Sequence, residues 1–223
     1  MSGKVHWPEE LKQNLYKKRI IAVLVIDNVK DAVPTAQALL RGGVDIMELT
    51  LRTTKAFEAL QAIRTEVPGI IPGVGTILTA DQCAQAKNAG AEFGVAPGFN
   101  PDVVRAAISE GLPFGPGIAT PSDIEGAYQL GCDIQKIFPA EPLGGASYLS
   151  NMNAPYSHLG IGYIPLGGVN PGNLKAWLEV PEVIAVGGSW IAQRKLIQEC
   201  RWDEIERRAR EARSIATEVE AQR

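Results

Sequence analysis

The strongest constraint on the fold is an alternation of short apolar runs with longer helical segments along the whole chain. The runs are rich in Val and Ile and bounded by turn residues, which is typical of buried strands. Eight such β-then-α units in one chain predict a parallel (β/α)8 barrel. An open doubly wound sheet is less favoured, because no G-x-G-x-x-G follows the first strand. The predicted strands are 19–26, 46–51, 70–76, 93–97, 113–120, 134–138, 162–166 and 183–187.

Helix-start signals mark several of the intervening segments. Capping residues, most of them followed by proline, predict N-termini for four helices, at Thr79, Asn100, Thr120 and Asn170. Residues 31–40 predict a helix, and 144–156 predict one without a clean period. Two more helices are expected outside the eight units: 8–17, closing the bottom of the barrel, and 202–222, with a solvated charged face.

Length and composition limit the classes of function. The 223 residues suffice for a single barrel domain spanning 1–223, and a net charge of only -3 argues against nucleic-acid and membrane partners. The N-terminal stretch MSGKVHWPEE has no apolar core of a signal peptide, and no apolar run reaches the ~18 residues of a membrane span. Three separated cysteines without C-x-x-C spacing fit a reducing compartment, so a cytoplasmic location is expected.

Lys136 is the most unusual residue of the predicted strands. It lies in the run CDIQKIFPAE, where strand alternation puts it on one face with Ile134 and Phe138. Burial disfavours the charged form of an amine, and a neutral lysine can attack a ketone to form a Schiff base. The alternative is a lysine that pairs with a carboxylate or extends to the barrel rim.

Other polar residues fall where the predicted strands end, which is the active-site face of such barrels. Glu48 could transfer protons beside Lys136, or simply form an ion pair with Lys136 or with Arg52. Arg52 could bind a carboxylate, and Thr76 could add a hydroxyl, although both could also be ordinary loop residues.

Two glycine pairs end the last two strands. Gly167–Gly168 precedes a helix start, and Gly187–Gly188 precedes Ser189. Loops in these positions often bind phosphate through their amides, although glycines also serve plain tight turns. Only two histidines occur and no metal-ligand spacing is present, so we expect neither a metal nor another cofactor.

Several stretches together resemble the 2-keto-3-deoxy-6-phosphogluconate (KDPG) and 2-keto-4-hydroxyglutarate (KHG) aldolase family. They occur in order through most of the chain: GGVDIMELTLRT (42–53), GVGT (73–76), VAPG (95–98), PGIAT (116–120), KIFPAE (136–141) and GGSW (187–190). The resemblance implies a homotrimeric, metal-independent class I aldolase that cleaves a 2-keto-4-hydroxy acid to pyruvate and an aldehyde.

The resemblance also implies roles for individual residues. Lys136 would form the Schiff base and Glu48 would move the proton. The substrate would be held by Arg52 and Thr76 at the pyruvyl carboxylate, by Pro97 and Phe138 along the walls, and by Gly167, Gly168, Gly188 and Ser189 at a distal phosphate.

Two departures from the family pattern bear on which aldehyde is preferred and on how strongly an anion is bound. Leu166 stands where relatives usually have threonine, and the stretch 142–147 lacks a lysine that relatives often carry. Two other functions stay open at the level of sequence: a phosphosugar isomerase or epimerase without a covalent amine, and a non-catalytic trimeric scaffold.

Overall fold

The computed structural model describes residues 4–222, and within this range the chain forms nine parallel strands and ten α-helices. Residues 1–3, which belong to the stretch considered for a signal peptide, and residue 223 lie outside the described residues. The strands are β1 Ile20–Leu24, β2 Ile46–Thr50, β3 Ile71–Gly75, β4 Phe93–Val95, β5 Phe114–Gly115, β6 Gly117–Ile118, β7 Ile134–Ile137, β8 Gly162–Pro165 and β9 Val186–Gly188.

Helices follow the strands along the chain, as expected for β/α units. They are α1 Glu9–Lys18, α2 Ala32–Arg41, α3 Ala56–Glu66, α4 Ala80–Asn88, α5 Pro101–Ser109, α6 Pro121–Gln129, α7 Gly145–Asn153, α8 Pro171–Glu179, α9 Arg194–Gln198 and α10 Trp202–Glu220. Short 3-10 turns occupy Val29–Asp31 and Ala154–Leu159. The four predicted capping residues, at the starts of α4, α5, α6 and α8, all accept a hydrogen bond from a backbone amide of the first turn.

The strands form a barrel whose sheet order is β5-β4-β3-β2-β1-β9 and β6-β7-β8. The predicted fifth strand is split at Pro116, which has no N–H to donate to a ladder. Gly115 pairs with β4 and Gly117 pairs with β7, so the segment passes from one neighbour to the other. Between β8 and β9, a bridge from Tyr163 to Val183 completes the circuit. The prediction of a (β/α)8 barrel is therefore confirmed.

Helix α1 lies across the N-terminal ends of the strands. Lys12 pairs with Asp133, just before β7, at 2.5 Å, and Lys18 pairs with Asp45, just before β2, at 2.6 Å. Trp7, which precedes the helix, is buried against Phe93. The expected extra N-terminal helix at the bottom of the barrel is confirmed, and the opposite mouth is left for chemistry.

Helix α10 does not lie outside the eight units, and that expectation was wrong. It packs between α2 and α8: Arg41 pairs with Glu206 at 2.7 Å, and a Cβ at Gly42 would come within 2.4 Å of the Cβ of Ala209. Because α9 has only five residues, α10 takes the place of the eighth barrel helix and packs on β1. Its predicted i,i+4 pairs Glu204–Arg208 and Glu206–Arg210 both form. The organisation as one domain over 1–223 stays a prediction.

Candidate active site

A buried amine and a buried carboxylate meet inside the C-terminal mouth of the barrel. The Nζ of Lys136, on β7, donates to Oε1 of Glu48 at 3.0 Å and to Oε2 at 3.3 Å. Only 5% of the lysine side chain and 2% of the glutamate side chain are exposed. The neighbouring Gln135 points outward and donates to the carbonyl of Cys132, so the predicted alternation along β7 is correct. The structure thus brings the two residues together across the barrel from different strands.

Gly75 makes room for the carboxylate. It ends β3 beside Thr50 of β2, and a Cβ at this position would lie 1.7 Å from Oε1 of Glu48 and 2.4 Å from its Cδ. Any side chain at residue 75 would therefore force the carboxylate or the strand to move. The glycine of the GVGT stretch is needed for close approach and not only for a turn.

The pair provides a way to make a neutral amine without creating net charge. Two buried charges lose hydration, and their mutual attraction offsets that cost only in good hydrogen-bonding geometry. Passing one proton from Lys136 to Glu48 over 3.0 Å converts the ion pair into a neutral amine and a neutral acid. The ring centroid of Phe138 lies 5.6 Å from Nζ, so this ring borders the amine. The geometry therefore suits both nucleophilic attack and proton transfer.

Polar groups from β2 and β3 continue this side of the mouth. The Nε of Arg52 donates to Oγ1 of Thr50 at 3.1 Å, and that hydroxyl donates to the carbonyl of Leu24 at 2.9 Å. This chain of bonds orients the guanidinium, and within residues 4–222 no carboxylate forms an ion pair with it. Thr76 has φ 62°, a left-handed conformation that is rare and costly for a β-branched residue and that concentrates at functional sites.

Of the four positions predicted to meet a phosphate, the structure brings two to the cavity. Gly167 and Ser189 line it, whereas Gly168 lies beside it and packs on the side chain of Glu141. The Cα of Gly188 faces the ring of Trp190, where a Cβ would lie 1.6 Å from a ring carbon. The two glycine loops therefore flank the mouth, but only one residue of each predicted pair lies on its surface.

The mouth encloses a cavity of ≈ 320 Å³, a size suited to a small metabolite. Its lining includes all the predicted residues except Gly168 and Gly188. Four further lining residues were not proposed as substrate contacts from the sequence: Val23, Thr50, Leu166 and Gly187. Strand register would have found Val23, because it pairs with Glu48 and therefore shares its face.

The cavity has one polar wall and one apolar wall. Glu48, Thr50, Arg52 and Thr76 form the polar wall on β2 and β3, whereas the β7–β9 side presents the side chains of Phe138 and Leu166. Leu166 is only 4% exposed and lies so close to Gly187 that a Cβ there would be 2.4 Å from its Cγ. A bound molecule with one anionic end and one less polar end would thus be oriented by the cavity.

Among residues 4–222, no group of three or more His, Cys, Asp or Glu side chains is placed to hold a metal ion. No helix in the same range combines the length and apolar composition that crossing a membrane requires.

Comparison with known proteins links this chain to one family. The model for the KDPG and KHG aldolases matches residues 11–208. The 2-dehydro-3-deoxy-phosphogluconate aldolase of Treponema pallidum is 44% identical over 183 residues, which cover 82% of this chain and 86% of the relative. The KHG/KDPG aldolase of Escherichia coli K12 is 36% identical over 207 residues, covering 93% and 96% of the two chains.

Solved structures of similar proteins agree in fold. The KDPG aldolase of Zymomonas mobilis ZM4, solved with 3-phosphoglycerate, is 36% identical with a TM-score of 0.83 and covers 91% of this chain and 94% of its own. The KDPG aldolase of Legionella pneumophila, solved with pyruvate captured as a covalent carbinolamine, is 32% identical with a TM-score of 0.85. The alignment with it covers 89% of this chain and 96% of the relative.

Proposed function

The chain belongs to the KDPG and KHG aldolase family, and on that premise we propose that Lys136 is its Schiff-base nucleophile and Glu48 its proton-transfer residue. It is a class I aldolase, a carbon–carbon lyase that cleaves a 2-keto-4-hydroxy acid to pyruvate and an aldehyde. The observation that carries the residue assignment is the contact of Nζ with Oε1 at 3.0 Å inside the cavity. Membership of this family sets aside the isomerase and scaffold alternatives.

The first half of the reaction forms the imine. Glu48 takes a proton from the ammonium of Lys136, and the neutral Nζ attacks the keto carbon of the substrate to form a carbinolamine. Glu48 then returns a proton to the carbinolamine hydroxyl, which leaves as water. The resulting iminium carries the positive charge that accepts the electrons released in the next half of the reaction.

The second half breaks the C3–C4 bond. A base removes the proton of the C4 hydroxyl, the aldehyde forms, and the electrons of the broken bond enter the iminium to give an enamine. Glu48, held in place against Gly75, is the group within reach of Nζ that can take this proton, directly or through one water. Protonation of C3 and hydrolysis of the imine release pyruvate and restore the amine.

The carboxylate of the pyruvyl half is assigned to the polar wall. Arg52 is a guanidinium at the mouth whose Nε is already fixed by Thr50, so its other nitrogens are oriented for an anionic oxygen. The half-buried hydroxyl of Thr76 lines the same wall. A carboxylate bound there places the adjacent keto carbon toward Lys136.

The aldehyde half is assigned to the opposite wall. Phe138 borders it, Pro97 lines the cavity after β4, and an amide and a hydroxyl for the aldehyde half would come from Gly167 and Ser189. We assign a distal phosphate, where the substrate has one, to these two residues with Gly168 and Gly188 behind them.

A homotrimeric assembly in the cytoplasm is part of the same proposal. The family resemblance supports the trimer, and three free cysteines support the compartment.

The test is cleavage of two keto acids by the wild type and by Lys136→Met and Glu48→Gln. Pyruvate release from KDPG and from 4-hydroxy-2-oxoglutarate is followed with lactate dehydrogenase. We expect no detectable release with Lys136→Met and a kcat reduced about 100-fold or more with Glu48→Gln. Wild-type activity in Lys136→Met would overturn the assignment of the nucleophile. The proposed trimer is tested separately, by the molar mass of the wild type in light scattering.

A further inference from the structure

Glu141 joins three segments behind the apolar wall of the cavity. Its Oε1 accepts a hydrogen bond from Nε1 of Trp177 at 2.5 Å, and Trp177 is a fully buried residue of α8. Glu141 itself lies in the loop between β7 and α7, three residues after Phe138. One side chain thus ties the β7–α7 loop to the helix that follows the next strand.

The backbone of the same loop holds the loop after β8. The amide of Ala140 donates to the carbonyl of Leu166 at 2.7 Å, and the amide of Glu141 donates to the carbonyl of Gly167 at 2.9 Å. These bonds continue the parallel pairing of β7 with β8 beyond the ends of both strands. They connect the loop directly to Leu166 and Gly167, two residues that line the cavity.

Side-chain packing closes the contact between the two loops. A Cβ at Gly168 would lie 2.6 Å from the Cβ of Glu141, and a Cβ at Gly167 would lie 3.1 Å from the ring of Phe138. Both glycines have left-handed φ values, 95° and 85°, which other residues rarely adopt. The glycine loop therefore lies flat on residues 138–141, and its place depends on where those residues are held.

We propose that Glu141 is a positioning residue, which fixes Phe138 and Gly167 where the aldehyde half of the substrate lies. This inference rests on the proposed function. Asn170 and Asn173 bind the carbonyl of Gly168 from the α8 side, so removing Glu141 loosens the wall without releasing the loop. The Lys136–Glu48 pair has its own contacts across the barrel and stays in place.

Loss of Glu141 should therefore affect the two halves of the substrate differently. Pyruvate alone uses the amine, the carboxylate and the polar wall, whereas a full keto acid also uses the apolar wall. Loss of the Glu141–Trp177 bond is therefore expected to raise KM for cleavage of KDPG about tenfold, which corresponds to one hydrogen bond to a charged group. The rate at which the methyl protons of pyruvate exchange in deuterated water is expected to stay within twofold of wild type.

The experiment compares Glu141→Ala, Glu141→Gln and Trp177→Phe. The glutamine variant keeps an acceptor oxygen for Trp177 and is expected to retain the wild-type KM, whereas the other two raise it. The double variant Glu141→Ala/Trp177→Phe should be no worse than either single one, because both remove the same bond.

Two results would overturn the inference: a wild-type KM in both Glu141→Ala and Trp177→Phe, or a fall in pyruvate exchange equal to the loss in cleavage. If Glu141→Ala does not fold, Trp177→Phe still decides the question. Failure of the proposed function gives a different result, since the wild type itself would then exchange no pyruvate protons.

Discussion

Replacement of Gly75 by alanine tests whether the geometry of Glu48, and not only its presence, is required. The new Cβ would lie 1.7 Å from Oε1, whereas a carbon and an oxygen in contact lie about 3.3 Å apart, so the carboxylate or the strand must move by about 1.6 Å. The Nζ–Oε1 distance of 3.0 Å cannot survive such a shift in a site closed by buried neighbours.

The expected loss follows from that displacement. Misplacing a catalytic group by about 1 Å can cost about 100-fold in rate, which corresponds to about 2.7 kcal/mol in the activation barrier. Overpacking of this kind also lowers the free energy of unfolding by about 1–3 kcal/mol. The variant should therefore fold, bind pyruvate and exchange its methyl protons about 100-fold more slowly than the wild type.

The assay is pyruvate methyl exchange in deuterated water, followed by NMR and paired with urea unfolding of each variant. Gly98→Ala is the matched control, because a Cβ there would meet no atom within 4 Å. A folded Gly75→Ala enzyme with wild-type exchange would refute the reasoning that this carboxylate must lie against Lys136. Equal losses in both variants would show that the effect is not specific to Glu48.

Two further predictions concern the aldehyde and the thiols. Leu166→Thr and Leu166→Val introduce side chains of nearly the same shape, but only threonine adds a hydroxyl, which can bind the hydroxyl next to the carbonyl of the aldehyde released from KDPG. We therefore expect the ratio of kcat/KM for KDPG to kcat/KM for 4-hydroxy-2-oxoglutarate to be several-fold higher in the threonine variant than in the valine variant. Equal ratios in the two variants would contradict this. Burial raises the pKa of the Cys83 thiol to about 11 and that of Cys132 to about 12, so both stay protonated at pH 8. A native thiol titration at pH 8 should then detect exposed Cys200 alone, and rapid reaction of more than one thiol would contradict it.

The strands and the central pair could be predicted because each leaves a local signal. A parallel strand buried on both faces is a short apolar run, and a lysine inside such a run, as at residue 136, is conspicuous. Because the active site of such a barrel lies at the C-terminal ends of its strands, Glu48 and Arg52 can be placed at the same mouth as Lys136 without any knowledge of distances.

Other features depend on packing between segments that are distant in the chain. The segment 202–222 has the pattern of any amphipathic helix, and nothing in that pattern says that it fills the gap between α2 and α8. Which glycine of each pair faces the cavity depends on one backbone rotation, so Gly168 and Gly188 could not be told from Gly167 and Gly187. The Glu141–Trp177 bond joins residues 36 positions apart and has no local signature.

The most direct test of the account is to trap the imine. The enzyme is treated with borohydride in the presence of pyruvate, digested, and searched by mass spectrometry for a lysine that carries the reduced pyruvyl group. We predict a single modified lysine, Lys136, and no modification when pyruvate is omitted. An adduct on a different lysine, or none at all from an enzyme that cleaves its substrate, would contradict the assignment of this buried amine as the nucleophile.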